Sequence, residues 1–221
     1  MTLQPPPPRL PLVLASNNAK KLAELQALLA GLPLDLVSQG SLGLAEVDEP
    51  FPSFIENALT KARHAARSSG QAALADDSGL CVAALAGAPG VISAHYAGEL
   101  PGLAGEAREP RRRRQDAATN QALLQRLAGV TDRRAHFIST LVAVRHADDP
   151  EPLVAVGRWS GQILDAARGE QGFGYDPLMY IPALGASVAE LDAATKNQHS
   201  HRARSAAVLR QLLAEAWHLA G

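Results

Sequence analysis

The sequence predicts an α/β protein built on a mixed sheet, and three observations carry the prediction. Short apolar runs alternate with stretches whose apolar residues recur at helical spacing, the pattern of strands followed by helices. Two long strand-like runs, "RAHFISTLVAVRHA" and "EPLVAVGRWSGQIL", meet at "DDPE", so one pair is a hairpin and the sheet is not purely parallel. The chain has 221 residues, 47% of them hydrophobic, enough to bury a substantial core in one large domain or two intimate lobes.

The first strand is "RLPLVLAS" (9–16), an apolar run that ends in turn-forming residues. "NNAKKLAELQALLAGL" follows as a helix, with Leu22, Leu25, Leu28 and Leu29 on one face, Asn18 as N-cap and Gly31 as the stop. A short strand over 34–39 completes a strand–helix–strand start. The second helix spans 53–70, with Phe54, Ala58, Ala62, Ala65 and Ala66 inward and Ser53 with Glu56 as a capping box. A strand over 72–75 then runs into Asp76 and Asp77. Segment 99–115 lacks periodicity and carries Arg111 to Arg114 among Gly, Pro and Glu, so it reads as a mobile surface loop, solvated rather than a nucleic-acid patch and dispensable for chemistry. A helix over 116–129 and the hairpin come next. "RGEQGFGYDPLMYIP" is glycine-rich and then strand-like, and "SHRARSAAVLRQLLAEAWHLAG" is a closing amphipathic helix. The run Pro5 to Pro8 marks residues 1–8 as a disordered tail, leaving 9–221 as the folded domain.

Composition narrows the function. A formal net charge of −1 gives no whole-molecule attraction for nucleic acid or membrane, so any anion site is local. The single cysteine, Cys81, excludes a disulfide framework, agrees with a reducing cytoplasm and, among apolar neighbours, reads as a buried structural thiol. No signal-peptide pattern or membrane-length apolar run is visible, which places the chain in the cytoplasm. The phosphate loop, the dinucleotide fingerprint, H-E-x-x-H and C-x-x-C are all missing from the sequence.

Four polar clusters remain at element ends. In "SNNAKK", Ser16, Asn17, Asn18, Ala19, Lys20 and Lys21 open a helix, whose N-terminal N–H groups suit phosphate; the ordinary reading is an N-cap with solvated lysines. Asp48, Glu49, Glu56 and Lys61 surround the next helix start, where carboxylates are also common caps. Asp76 and Asp77 put two like charges between apolar segments, which calls for either a solvated turn or a cation, and hard divalent ions take such oxygens. Last, Phe173 between glycines suits stacking on a base, with Lys196, His201 and Arg202 as donors; a capped helix with an exposed His-Arg pair is the plain alternative.

Taken together and in this order, "SNNAKKLAEL", "SFIENALTKARHAA", "ADDSGL…GAPGVISAHYAG", "GFGYDP" and "K…SHRA" resemble the Ham1/RdgB family of noncanonical purine nucleoside triphosphate pyrophosphatases. The resemblance covers nearly the whole chain. It implies an elongated mixed sheet flanked by helices, two lobes with a deep active-site cleft between them, and a homodimer. It also implies Mg²⁺ as cofactor and ITP, dITP, XTP and dXTP as substrates, split into monophosphate and pyrophosphate.

By the same resemblance Ser16, Asn18 and Lys21 match the phosphate motif, within the run that includes Asn17, Ala19 and Lys20. Glu49 and Asp77 match the metal-linked carboxylates, with Asp76 beside them, and Asp77 the general base. Glu56 and Lys61 match the cleft helix. Ser78, Phe173, Gly174, Tyr175, Asp176, Lys196, His201 and Arg202 match substrate contacts. Segment 99–115 is longer and richer in arginine than the family pattern. Whether Asp77 takes a proton or chiefly holds metal stays open at this level. So do two rivals, a pyrophosphatase for modified pyrimidine or methylated nucleotides and a nucleotide sensor without turnover.

Overall fold

The computed structural model describes residues 9–103 and 105–219; the proline-rich stretch 1–8 lies outside them. In chain order the elements are β1 (Leu10–Leu14), α1 (Ala19–Leu28), β2 (Leu34–Ser38), α2 (Phe54–Ser69), β3 (Ala72–Val82), α3 (Arg108–Arg126), β4 (Arg134–Val144), β5 (Leu153–Ile163), β6 (Met179–Ile181), β7 (Ala186–Ser187), α4 (Ala193–His199) and α5 (His201–Ala216). Among the described residues the strands form one seven-stranded sheet in the order β2-β1-β3-β4-β5-β6-β7. β1 is parallel to β2 and β3, whereas β6 is antiparallel to β5 and β7, so the sheet is mixed as the hairpin requires.

The chain divides into two compact units. The first comprises residues to Asp77, Ser139–Gly157 and Arg202 onward. Its strands are apolar on both faces because helices cover both. Leu12, Leu14, Leu74, Leu141 and Ala143 pack on Leu25 and Leu29 of the α1 region and on Leu209 and Leu213 of α5. Their alternates Val13, Ala73, Ala75, Val142 and Val144 pack on Ala58, Ala62, Ala65 and Ala66 of α2. A fully buried leucine such as Leu74 contributes about 1.5–3 kcal/mol. The alanine stripe leaves little room on the α2 side, and a larger residue there would overpack it. Phe54, expected inward, is only half-buried, and the buried place belongs to Asn57. The Asn57 amide exchanges two 3.0 Å hydrogen bonds with the Phe51 backbone, pinning the segment that carries Glu49.

The second unit comprises Ser78–Ile138 and Arg158–His201. Leu80, Val82, Leu123, Leu127, Phe137, Trp159, Leu178 and Met179 form its core.

The structure corrects three further expectations. β3 does not end at residue 75 but continues through Asp76 and Asp77 to Val82, so the carboxylates lie in a buried strand and not in a solvated turn. α3 begins at Arg108, placing all four consecutive arginines in a helix. Pro110 is tolerated in its first turn, arginine favours helix, and Glu109 lies 3.8 Å from Arg113 one turn on. Cys81 is half-buried rather than buried, and burial pushes its thiol pKa up, against the opposing charge of Arg158. The short β7 and α4 had no counterpart in the sequence reading.

Candidate active site

The alternation of β3 determines where each aspartate goes. Ala72 and Leu74 face α1 and α5, so Asp76 does too; Ala73 and Ala75 face α2, and so does Asp77. Two adjacent like charges are thereby sent to opposite faces, and each face supplies its own cations.

Asp76 is 1% exposed. Its Oδ2 accepts from Arg202 Nε at 3.0 Å and Nη2 at 2.9 Å and lies 3.1 Å from Lys21 Nζ. Its Oδ1 accepts from the Ser139 hydroxyl at 2.9 Å, which contacts the Ser205 hydroxyl at 2.9 Å. Arg202, 2% exposed, also donates from Nη1 to Glu24. Burial opposes the charge on Asp76, yet Arg202, Lys21 and Lys61 hold its carboxyl far below the usual carboxylate range. Burial likewise opposes the charge on Arg202, and Asp76 and Glu24 overcome it, so the guanidinium pKa is raised. For Lys21 burial wins over the attraction of Asp76 and the ammonium pKa is lowered.

On the α2 face, Lys61 Nζ lies 2.6 Å from Glu49 Oε2 and 3.3 Å from Asp77 Oδ1. It also donates to the Asp76 carbonyl oxygen at 3.2 Å, which Lys21 Nζ reaches at 3.4 Å. Burial works against the Lys61 charge, but Asp77 and Glu49 outweigh it and its pKa is raised. Asp77 is 6% exposed, and its Oδ2 is buried with no hydrogen-bond partner. Burial raises its pKa to about 6, with Lys61 opposing and Glu49 adding to the rise.

A buried carboxylate oxygen without a donor is costly unless a cation or water meets it. Among the described residues no three His, Cys, Asp or Glu side chains gather into a metal cluster. Two carboxylates are nonetheless the donor set that Mg²⁺ uses when waters and phosphate oxygens complete its shell. Glu49 and Asp77 fit that set. Asp76 has both oxygens engaged by protein donors and serves as the anchor for Lys21 and Arg202.

The start of α1 is organised as its sequence suggests. Asn18 Oδ1 accepts from Lys20 N at 3.1 Å and Lys21 N at 3.4 Å, and Ser16 Oγ accepts from Asn18 N at 3.2 Å. Asn17 turns away, donating to Glu46 at 2.8 Å, and Ala19 and Lys20 are exposed. Glu56 is an exposed cap residue whose carboxylate accepts the Ser53 hydroxyl at 2.5 Å. It does not join the Lys61 cluster.

The second unit holds a separate cluster. Asp176 Oδ2 accepts from Phe173 N at 3.0 Å and from Lys196 Nζ at 2.7 Å. Lys196 Nζ lies 5.0 Å from the Phe173 ring centroid, within cation–π range. Gly172 has φ +81°, and a Cβ there would collide with the Asp176 carboxylate, so the turn requires glycine. From α3, Asp116 accepts from Gly174 N at 2.9 Å and Asn120 donates to the Gly174 carbonyl at 3.0 Å. Tyr175 is a core residue whose hydroxyl donates to the Ser93 carbonyl at 2.9 Å. His201 is buried with its ring 5.0 Å from that of Phe137, and Ser78 is half-buried.

Glu24, Ser139, Asp116 and Asn120 were not singled out from sequence. Glu24 lies one turn from Lys21, and Asp116 and Asn120 share a helix face, which are the only local signals they leave.

The Ham1 family model matches residues 12–212. The chain is 64% identical to a dITP/XTP pyrophosphatase of Methylibium petroleiphilum, over 93% of this chain and 98% of that one. It is also 64% identical to a dITP/XTP pyrophosphatase of Leptothrix cholodnii, over 95% and 99% respectively. Among solved structures, a HAM1 protein from Coxiella burnetii superposes with a TM-score of 0.83 at 41% identity, over 94% of this chain and all of that one.

Proposed function

The chain belongs to the Ham1 family, and from that premise we propose that it hydrolyses ITP, dITP, XTP and dXTP to the monophosphate and pyrophosphate, removing them from the nucleotide pool. The observation that carries the reading is the buried, unpartnered Oδ2 of Asp77 beside Glu49, Lys61 and Lys21. A site for phosphate binding alone has no use for a buried carboxylate oxygen left without a donor, whereas a residue that positions an attacking water does. This favours catalysis over sensing.

In this mechanism Lys21 and Lys61 bind phosphate oxygens and offset the charge that shifts as the anhydride bond breaks. Asp77 orients a water toward the α-phosphorus and accepts its proton, and pyrophosphate leaves. Mg²⁺, held by Glu49 and Asp77, would neutralise phosphate charge and acidify the attacking water. Ser16 and Asn18 order the first turn of α1, so that Lys21 is aimed by a capped helix rather than a free tail. Asp76 and Arg202 fix the β3 segment from behind. We assign the purine to the Phe173 ring, with Lys196 beside the ring and held by Asp176, and with His201; Ser78 follows Asp77 in the chain, and Arg202, expected at the purine, is instead committed to Asp76 and Glu24. A homodimer in the cytoplasm completes the proposal, and light scattering of the purified protein tests the dimer.

Reaction in ¹⁸O-labelled water tests the chemistry. ITP with Mg²⁺ should give pyrophosphate without label and inosine monophosphate with one ¹⁸O. Label in pyrophosphate, or release of inorganic phosphate, contradicts attack at the α-phosphorus.

A further inference from the structure

The helix α3 grips the turn that carries Phe173, and the mechanism gives that grip no task. Asp116 and Asn120 lie one helical turn apart and so share a face of α3. The Asp116 carboxylate accepts from Gly174 N at 2.9 Å, and the Asn120 amide donates to the Gly174 carbonyl at 3.0 Å. Both backbone groups of the residue after Phe173 are therefore tied to one helix. Leu123 and Leu127, fully buried, root that helix in the core of the second unit.

Gly174 needs such ties. Its φ of +61° is a left-handed conformation, it has no side chain to pack, and glycine loses more freedom on ordering than any other residue. Phe173, by contrast, is closed within the turn. Its N–H goes to the Asp176 carboxylate at 3.0 Å and its carbonyl accepts from Asp176 N at 3.3 Å. The turn thus holds its own shape, and α3 fixes where that shape sits.

Asn120 is also a costly choice there. Its Oδ1 is buried with no hydrogen-bond partner among the described residues, and turning the amide over would set that oxygen against the Gly174 carbonyl. One neutral hydrogen bond contributes less to stability than an unpaired buried acceptor removes. Leucine would avoid the orphaned oxygen and favours helix more than asparagine, but it would release Gly174. Holding the turn, and not stability, is what asparagine supplies.

We propose that Asp116 and Asn120 are positioning residues of the base site: acting through Gly174, they set the place and angle from which the Phe173 ring stacks on the purine. The inference rests on Phe173 being the purine platform. Contact attraction is short-ranged, so a ring displaced by about 1 Å forfeits a large share of its hold on a base. The cations assigned to phosphate, Lys21 and Lys61, belong to the other unit, so phosphate affinity should not follow.

Steady-state kinetics of the full-length N120L, D116A and D116N variants with ITP and Mg²⁺ test this, with melting curves and pyrophosphate inhibition alongside. N120L and D116A should raise KM roughly 5- to 50-fold while kcat stays within about threefold. D116N keeps a side-chain oxygen that can accept from Gly174 N, so its KM should return to within about threefold of wild type. Inhibition by pyrophosphate should be unchanged in all three, and N120L should melt at or above the wild-type temperature. KM within about twofold of wild type in both N120L and D116A would overturn the proposal. So would D116N as impaired as D116A, or a loss of pyrophosphate inhibition that matches the loss on ITP. If the wild-type protein itself does not hydrolyse ITP, the assigned function fails rather than the clamp. Calorimetric binding of inosine monophosphate then decides: about tenfold weaker binding to N120L supports the clamp, and no difference from wild type refutes it.

Discussion

Replacing Asp76 by asparagine keeps the shape of the β3 centre and removes one charge, and the consequence follows from its partners. In the wild type the buried Arg202 and the half-buried Lys21 share Asp76, and Arg202 also pairs with Glu24. After the change Lys21 loses its ion-pair partner, Arg202 keeps Glu24, and the Nε and Nη2 of a guanidinium that is 2% exposed lose their ionic acceptor. Breaking one side of a buried ion pair costs roughly 3–5 kcal/mol. For a chain of 221 residues about 1 kcal/mol shifts Tm by roughly 2–4 °C, so D76N should melt roughly 6–20 °C lower. Added salt should not rescue it, because the cluster is out of reach of screening ions. The pH dependence has a definite sign. Asp76 has a depressed folded pKa, so its contribution is complete above the ordinary aspartate value of about 4 and fades only in stronger acid. The gap between wild type and D76N should therefore be constant from about pH 5 to 8 and narrow below about 4. Calorimetric melting across that range is the assay. A Tm loss under about 2 °C, or a gap that closes with salt, would refute the clamp.

Other changes separate binding from chemistry. D77N should lower kcat by roughly 10²–10⁴ while leaving the fold intact, as single-turnover assays would show. Without metal, Asp77 has a raised folded pKa, so the native state holds the extra proton between about 4 and about 6 and stability falls as pH rises through that window. D77N should lack the fall and, in EDTA at pH 8, be more stable by roughly 1–3 kcal/mol, read from denaturant midpoints. Lys21→Ala should weaken both KM and kcat, since a phosphate cation acts in ground and transition states. Gly172→Ala should displace Asp176, release Lys196 and raise KM more than it lowers kcat, at a stability cost of about 1–3 kcal/mol.

What was legible in the sequence was local. Asn18 as the cap of α1 needed only the polar-to-periodic boundary, and it does accept from the Lys20 and Lys21 N–H groups. The apolar run of β1 and the spacing of alanines in α2 likewise mark a buried strand and a buried helix face within a few residues. The Asp76–Asp77 pair announced that positive charge was needed but not where it comes from. Arg202 lies 126 residues away and Ser139 lies 63, distances that no local pattern encodes. Reading the pair as a turn followed Asp's standing as a favoured turn residue, which tertiary charge pairing overrides here. The arginine run was read as loop from its Gly and Pro neighbours, although Pro110 falls where a helix accepts it.

The most direct test of the central claim is kcat/KM with Mg²⁺ for ITP, XTP, GTP and ATP, followed as pyrophosphate release. The 6-oxo purines ITP and XTP should rank first. GTP shares the oxo group, so it must be rejected through its 2-amino group and should fall well below. ATP should be lowest, by roughly 10²-fold or more, since its amino donor would leave buried donors unpaired. The deoxy forms should track the ribo forms. ATP hydrolysed as efficiently as ITP would contradict the account.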